Sequence, residues 1–171
     1  GWADALVSAA CSDIEVSSGR LWGRMMVDIS KRPTTPWHLW AIGAASVLWN
    51  GVGVWQWYQK VTGAQAYWSA LTMEQVFYLR SAPLWTDVAY GVAVWCGLLG
   101  ALMLLLRRKL AFNAFVAGLI AMLAHAAYVL ALSNGREVIG AGGTAFTLVV
   151  ALIFAVQIAY SHWARRKGLI R

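Results

Sequence analysis

Apolar residues in this chain gather in four long blocks instead of recurring at helical or strand period against polar ones. The blocks run from Trp37 to Trp57, from Leu84 to Leu106, from Leu110 to Leu132 and from Thr144 to Trp163. Each holds roughly 20 residues, enough at about 1.5 Å per residue to cross a hydrocarbon layer of about 30 Å. Lipid offers no water to backbone N–H and C=O groups, so each block is expected to be a helix. The pattern predicts an all-α integral membrane protein, a four-transmembrane-helix bundle over residues 36–165.

The connections sharpen this picture. Arg107, Arg108 and Lys109 form an abrupt basic hinge between the second and third blocks, which implies an antiparallel hairpin. The first connection, QKVTGAQAYWSALTMEQVFYLRSAP, is long. Thr72 followed by Gln75 reads as a capping box that opens a short helix. That helix has Met73, Val76, Phe77 and Leu79 to hide, so an interfacial position on the bilayer is predicted. Pro83 then ends it. The last connection, Ser133 to Gly143 (SNGREVIGAGG), reads as a compact glycine-rich turn.

Charge gives the orientation. Arg20, Arg24, Lys31, Arg32, Arg107, Arg108, Lys109, Arg165, Arg166, Lys167 and Arg171 collect on one side, and only Lys60, Arg80 and Arg136 on the other. The richer side is expected in the cytoplasm, giving an N-in/C-in topology with residues 166–171 as a basic tail. The net charge of +7 is thus accounted for by topology, and nucleic acid is not expected as a partner. Only 12% of the residues are charged against 60% apolar, where soluble domains carry about a quarter charged.

Residues 1–35 read as a cytoplasmic arm without sustained periodicity. The apolar run from Ala5 to Ala10 is too short to span a membrane. The segment from Met25 or Met26 (MMVDISKRPTTPW) resembles a natural start, so residues 1–24 are expected to be an upstream extension, with a docking arm as the alternative. Peptides from those residues in the native protein would end the extension reading. Cys11 and Cys96 belong to different levels, so no disulfide is expected.

The tryptophans number eleven. Trp37, Trp40, Trp55, Trp57, Trp68, Trp85 and Trp163 fall near block ends, where indole rings anchor a helix in the headgroup zone. Trp49 and Trp95 lie deeper and read as packing or pocket-lining residues. Small residues repeat at helical spacing: Gly43, Ser46, Asn50 and Gly53; Ala89, Ala93, Cys96 and Gly100; Ala114, Gly118, Ala121, His125 and Tyr128. Such stripes let helices approach closely.

Polar side chains inside a span are costly and usually face the bundle or a cavity. Asn50 lies thirteen residues beyond Trp37, roughly 20 Å along the helix axis. His125 lies fifteen residues beyond Leu110, Tyr128 one turn further, and Asp87 enters the same half from its other end. Asn50, Asp87, His125 and Tyr128 are therefore the candidate ligand-binding cluster, an outward-facing polar pocket open to the outer face, with Glu74, Arg136 and Glu137 above it. The plainer reading is that Asn50 and His125 only bond neighbouring helices. His38 and His162 read as interfacial, and Gln157 as bonding a neighbouring helix. No metal spacing, serine elbow, phosphate loop or buried carboxylate pair appears, so neither a cofactor nor an enzyme is expected.

From Pro36 onward, the stretches WNGVGVWQW, LTMEQVFYLRSAPLWTDVAYGVAVWCGLLGALMLLLRRKLA and SNGREVIGAGG resemble a family of small proteobacterial inner-membrane proteins. Some members are catalogued as sugar transporters. The resemblance implies four helices, a bacterial inner membrane and transport. Two functions follow as expectations: a transporter-like or ligand-binding protein acting as a homo-oligomer, or an accessory subunit of a larger membrane complex. A sensor built on the interfacial loop and basic tail is a third, without a feature of its own.

Overall fold

The computed structural model describes Gly1 and residues 36–170. The predicted arm beyond Gly1, including Cys11, Met25 and its four basic residues, lies outside the described residues, as does Arg171. The described chain is helical. Helix α1 spans Trp37–Val61, and the first connection carries α2 (Gln65–Ser69) and α3 (Met73–Ser81). Next come α4 (Leu84–Leu105) and α5 (Leu110–Ala127), which continues through a π turn, Tyr128–Leu132. The last helix, α6, is Gly135–Arg166.

Leu84–Leu105, Leu110–Leu132 and Gly135–Arg166 are each long and apolar enough to cross a membrane. The chain is a helical membrane protein. Helix α1 is as long, but five tryptophans with His38, Asn50, Gln56, Gln59 and Lys60 dilute its apolar character. Large apolar side chains such as Leu48, Val92, Ile120 and Leu152 stand exposed along the outside of the helices, as lipid contact requires.

Short-range chemistry sets the ends. The Thr72 hydroxyl accepts the Gln75 N–H at 3.3 Å and the Gln75 side chain accepts the Thr72 N–H at 3.2 Å, completing the predicted box. Helix α3 leaves Met73 and Phe77 exposed and buries Tyr78. At the basic hinge the N–H of Arg108 bonds to Met103 O (2.8 Å) and that of Arg107 to Leu104 O (3.0 Å). This is the double bond pattern of a Schellman stop, with Arg107 at φ 58 where glycine is usual. Arg107 Nε also donates to Leu169 O at 2.8 Å, tying the hinge to the chain beyond α6.

Two boundaries differ from expectation. Helix α1 continues past Trp57 to Val61, which carries Lys60 into the helix. The Ser133–Gly143 segment is helical, not a compact turn, from Gly135 onward except at one residue. Gly140 (φ 67, ψ −172) breaks α6 in a region that only glycine visits cheaply. Glycine-rich composition suggested a loop, yet Glu137 in the first turn complements the helix dipole and the turn forms. Gly140→Ala is expected to cost about 1–3 kcal/mol; a denaturation midpoint unchanged in mixed micelles would contradict it.

Helix α4 packs on both α1 and α5, and α5 packs on α6. Helices α1 and α6 meet chiefly through side chains: His38 Nδ1 and Tyr160 OH lie 2.9 Å apart near one end, and Trp49 sits 6.4 Å from Phe146 further along. The buried face of α5 is Ala111, Phe115, Gly118, Met122 and Ala126. Only Gly118 of the predicted stripe belongs to it; Ala114, Ala121, His125 and Tyr128 flank it half-buried. Phe115 explains the shift, because it fills the space above Gly100 of α4.

Candidate functional site

Between α1 and α6, a cavity of about 390 Å³ lies toward the end of the bundle that carries α2 and α3. Its construction starts with the stripe on α1. Gly43, Ser46 and Asn50 are buried, and the same spacing continues through Gly53 and Trp57 to Lys60. Trp57 lays its indole over Gly91 of α4, where a methyl group would come within 2.7 Å of Nε1. That nitrogen donates to Asp87 O at 3.1 Å. One turn on, the buried Lys60 ammonium pairs with the Asp87 carboxylate. A neutral-sum ion pair thus clamps the ends of α1 and α4, and Lys60 is the charged residue in the cavity wall.

The facing wall comes from α4 and α5. Thr86 is buried, its hydroxyl donating to Pro83 O at 2.8 Å. Its carbonyl lies 3.1 Å from His125 Nδ1. A carbonyl can only accept, so Nδ1 carries a proton, and in the neutral ring Nε2 is an acceptor left for the cavity. The His125 ring is tilted 30° against Tyr90, centroids 5.3 Å apart. Tyr128 packs edge-on against Trp85 at 5.5 Å and begins the π turn.

That turn has a defined stop. The Ser133 hydroxyl donates to Tyr128 O at 2.8 Å, and so accepts from the Tyr78 hydroxyl at 2.9 Å and from the Gly135 N–H at 3.3 Å. One oxygen joins α3, the π turn and α6, and so fixes the lid over the cavity. Beside it, burial first and the Asp87 carboxylate second raise the Tyr67 phenol above its ordinary pKa. Arg80 stacks 5.0 Å over Trp68 on the outer side of this cover. Ser133→Ala is expected to cost about 1 kcal/mol and to loosen α3, read as faster hydrogen exchange over residues 73–81.

Asn50, His125 and Tyr128 all line the cavity. Asp87 stands behind the wall and reaches it only through Lys60. Asn50 is also a packing residue: Nδ2 donates to Ser46 O at 2.8 Å, and its amide oxygen occupies the space a Gly97 side chain would need. It bonds within its own helix, not between helices. Arg136 and Glu137 line a separate shallow depression beside α6. His38 packs on Tyr160 and Trp163, while His162 sits against Phe112. Gln157 is buried, but its Oε1 has no hydrogen-bond partner among the described residues, so the expected bond to a neighbouring helix is not made by that atom. Trp49 lines the cavity and Trp95 does not.

Sequence reasoning missed Lys60, Gln56, Tyr67, Tyr78 and Tyr90, all in the wall. Lys60 had a signal, the 3-4-3 spacing of the α1 stripe carried two steps further. The tyrosines had none distinct from interfacial anchoring. No protein family, curated protein or solved structure matches the chain.

Proposed function

We propose that this protein is a four-span, N-in/C-in protein of a bacterial inner membrane that binds a small ligand in the α1–α6 cavity, without catalysing a reaction on it. Binding of this kind serves a transporter-like role, which also draws on the resemblance of residues 36–171 to the proteobacterial family. The cavity carries the reading. It is preformed, largely apolar, and has few convergent polar groups: Lys60, Gln56, His125, Asn50 and the tyrosine hydroxyls. Sites for small molecules have this composition and a volume of about 300–1,000 Å³.

The fourth span is α1. Its 25 residues extend roughly 37 Å, and it packs along α4. Among the described residues, Arg107, Arg108, Lys109, Arg165, Arg166 and Lys167 lie at the hairpin end, against Lys60, Arg80 and Arg136 at the other. The positive-inside rule then sets the hairpin in the cytoplasm. Accessibility of single cysteines at positions 74 and 108 to an impermeant thiol reagent tests this, with position 74 expected to react from outside.

An accessory role is supported by a different observation. Helix α6 is exposed along Leu148, Val149, Leu152 and Val156, a face open to lipid or to another subunit. Native mass spectrometry of protein gently extracted from its own membrane separates the two. A homo-oligomer carrying a small molecule is expected; a stable assembly with unrelated subunits would overturn the ligand-binding role. His125→Leu is expected to lower ligand occupancy at least fivefold while leaving assembly intact. Asn50→Leu is a poorer probe, because Asn50 is also a packing residue whose amide oxygen sits against Gly97.

A further inference from the structure

Four residues belong at once to the cavity wall and to the outside of the bundle, the polar Gln56 and three apolar ones. Trp49, Val52 and Phe146 line the cavity and are 39%, 59% and 57% exposed. They mark its mouth, which lies between α1 and α6, the pair of neighbouring long helices joined least along their backbones. Toward the loop end the cavity is covered by Tyr67 of α2 and by Tyr78 and Leu79 of α3. Trp49 and Val52 sit in the middle of α1. The three apolar residues thus open the cavity sideways, at bilayer depth.

Resting on the ligand-binding role above, we propose that the cavity takes an uncharged amphiphile bearing a hydroxyl group, which enters from the lipid between α1 and α6. The lining fixes the class. Phe146, Val150, Phe154, Met122 and Val94 offer an apolar body only carbon and one thioether sulfur. A free sugar would leave most of its hydroxyls unpaired against them, and a buried polar group without a partner is costly. A carboxylate fits poorly as well. Lys60 already answers Asp87, so a second anion would share one cation away from water. A hydroxyl meets the site on its own terms, because it donates to His125 Nε2 if the ring is neutral and accepts from it if the ring is charged.

The test uses the full chain in lipid nanodiscs and a 4-hexylphenol carrying a diazirine on its alkyl chain. Photolabelling is expected to be saturable and to fall on cavity residues of α1, α5 and α6. Unlabelled 4-hexylphenol should compete, and hexylbenzene should need about tenfold more, the worth of one net hydrogen bond. Neither 4-hexylbenzoate nor glucose should compete in the same range. His125→Leu should erase the preference for phenol over hexylbenzene while keeping the label; the hexylbenzene comparison on unaltered protein holds even where that variant fails to fold. Stronger competition by the benzoate, or equal competition by hexylbenzene, overturns the ligand class. Glucose protecting His125 from modification, with no alkylphenol label in the cavity, overturns the lipid route and leaves the cavity a ligand site. Absence of saturable labelling together with absence of protection by any of the four compounds overturns both.

Discussion

Lys60→Met is expected to destabilise the protein by about 3 kcal/mol, the lower part of the range for stripping one partner from a buried ion pair. The Lys60 side chain is 8% exposed and that of Asp87 25%. Methionine keeps the packing of the lysine stem but leaves the carboxylate facing apolar surroundings with no cation. The partial exposure of Asp87 holds the loss below the upper limit of about 5 kcal/mol. Damage should also be local in kind. Trp57 hangs on the Asp87 backbone and Tyr67 feels its charge, so the α1–α4 clamp and the cavity cover loosen together. Lys60→Met combined with Asp87→Leu removes both charges, and most of the lost stability should return. Equilibrium unfolding in mixed micelles, followed by tryptophan fluorescence, gives the double-mutant cycle. Additive losses in the double variant would mean that the two side chains do not act as a pair.

The same lysine shows where the sequence was readable and where it was misread. Hydropathy ends the first block at Trp57, because Tyr58, Gln59 and Lys60 look like the start of a loop. Helical spacing sees further: positions 43, 46, 50, 53, 57 and 60 form one stripe, and the burial follows it. Helix α4 was legible almost to the residue because Pro83 and the basic hinge bracket it, and the same hinge sets the start of α5. The start of α6 was not, since composition cannot tell a glycine loop from a helix broken once at Gly140. Small-residue stripes were informative in an indirect way. Gly100 marks where Phe115 inserts, so a small position on one helix locates a large side chain on its neighbour and not the centre of its own buried face.

The candidate site was legible in part for a related reason. Depth arithmetic placed Asn50, His125 and Tyr128 at one level, and all three line the cavity. Arithmetic along helix axes says nothing of azimuth, and so it put Asp87 in the wall instead of behind it. Arg136 and Glu137 were set above the cluster as loop residues; as part of the first turn of α6 they face a different depression. The cover, built on Tyr67, Tyr78 and the hub at Ser133, depends on contacts 55 residues apart in sequence and left no local pattern to read.

Phe154→Ala should cost about 2–4 kcal/mol and release α6. This helix buries little of itself, and Phe154 is its wedge: 3% exposed, with its ring edge where a Gly118 methyl would approach to 2.7 Å and a Gly97 methyl to 3.1 Å. Two helices have thus given up side chains to admit one ring from a third. Soluble cores lose about 3–5 kcal/mol for Phe→Ala. Lipid tails are as apolar as the ring, so the transfer part shrinks and lost van der Waals contact dominates. Leu152→Ala, two residues away on the lipid-facing side, should cost well under about 1 kcal/mol, since Leu152 is 62% exposed and packs on lipid. The contrast within one helix is the measurement, by steric trapping or denaturant titration in bicelles. Equal losses at 152 and 154 would mean that α6 is held by general lipid contact and not by the glycine notch. A loss confined to Phe154 also has a consequence for the cavity, because Phe154 is part of its wall. The truncated variant should then admit a longer alkyl chain than 4-hexylphenol, even as the bundle that holds it becomes easier to open.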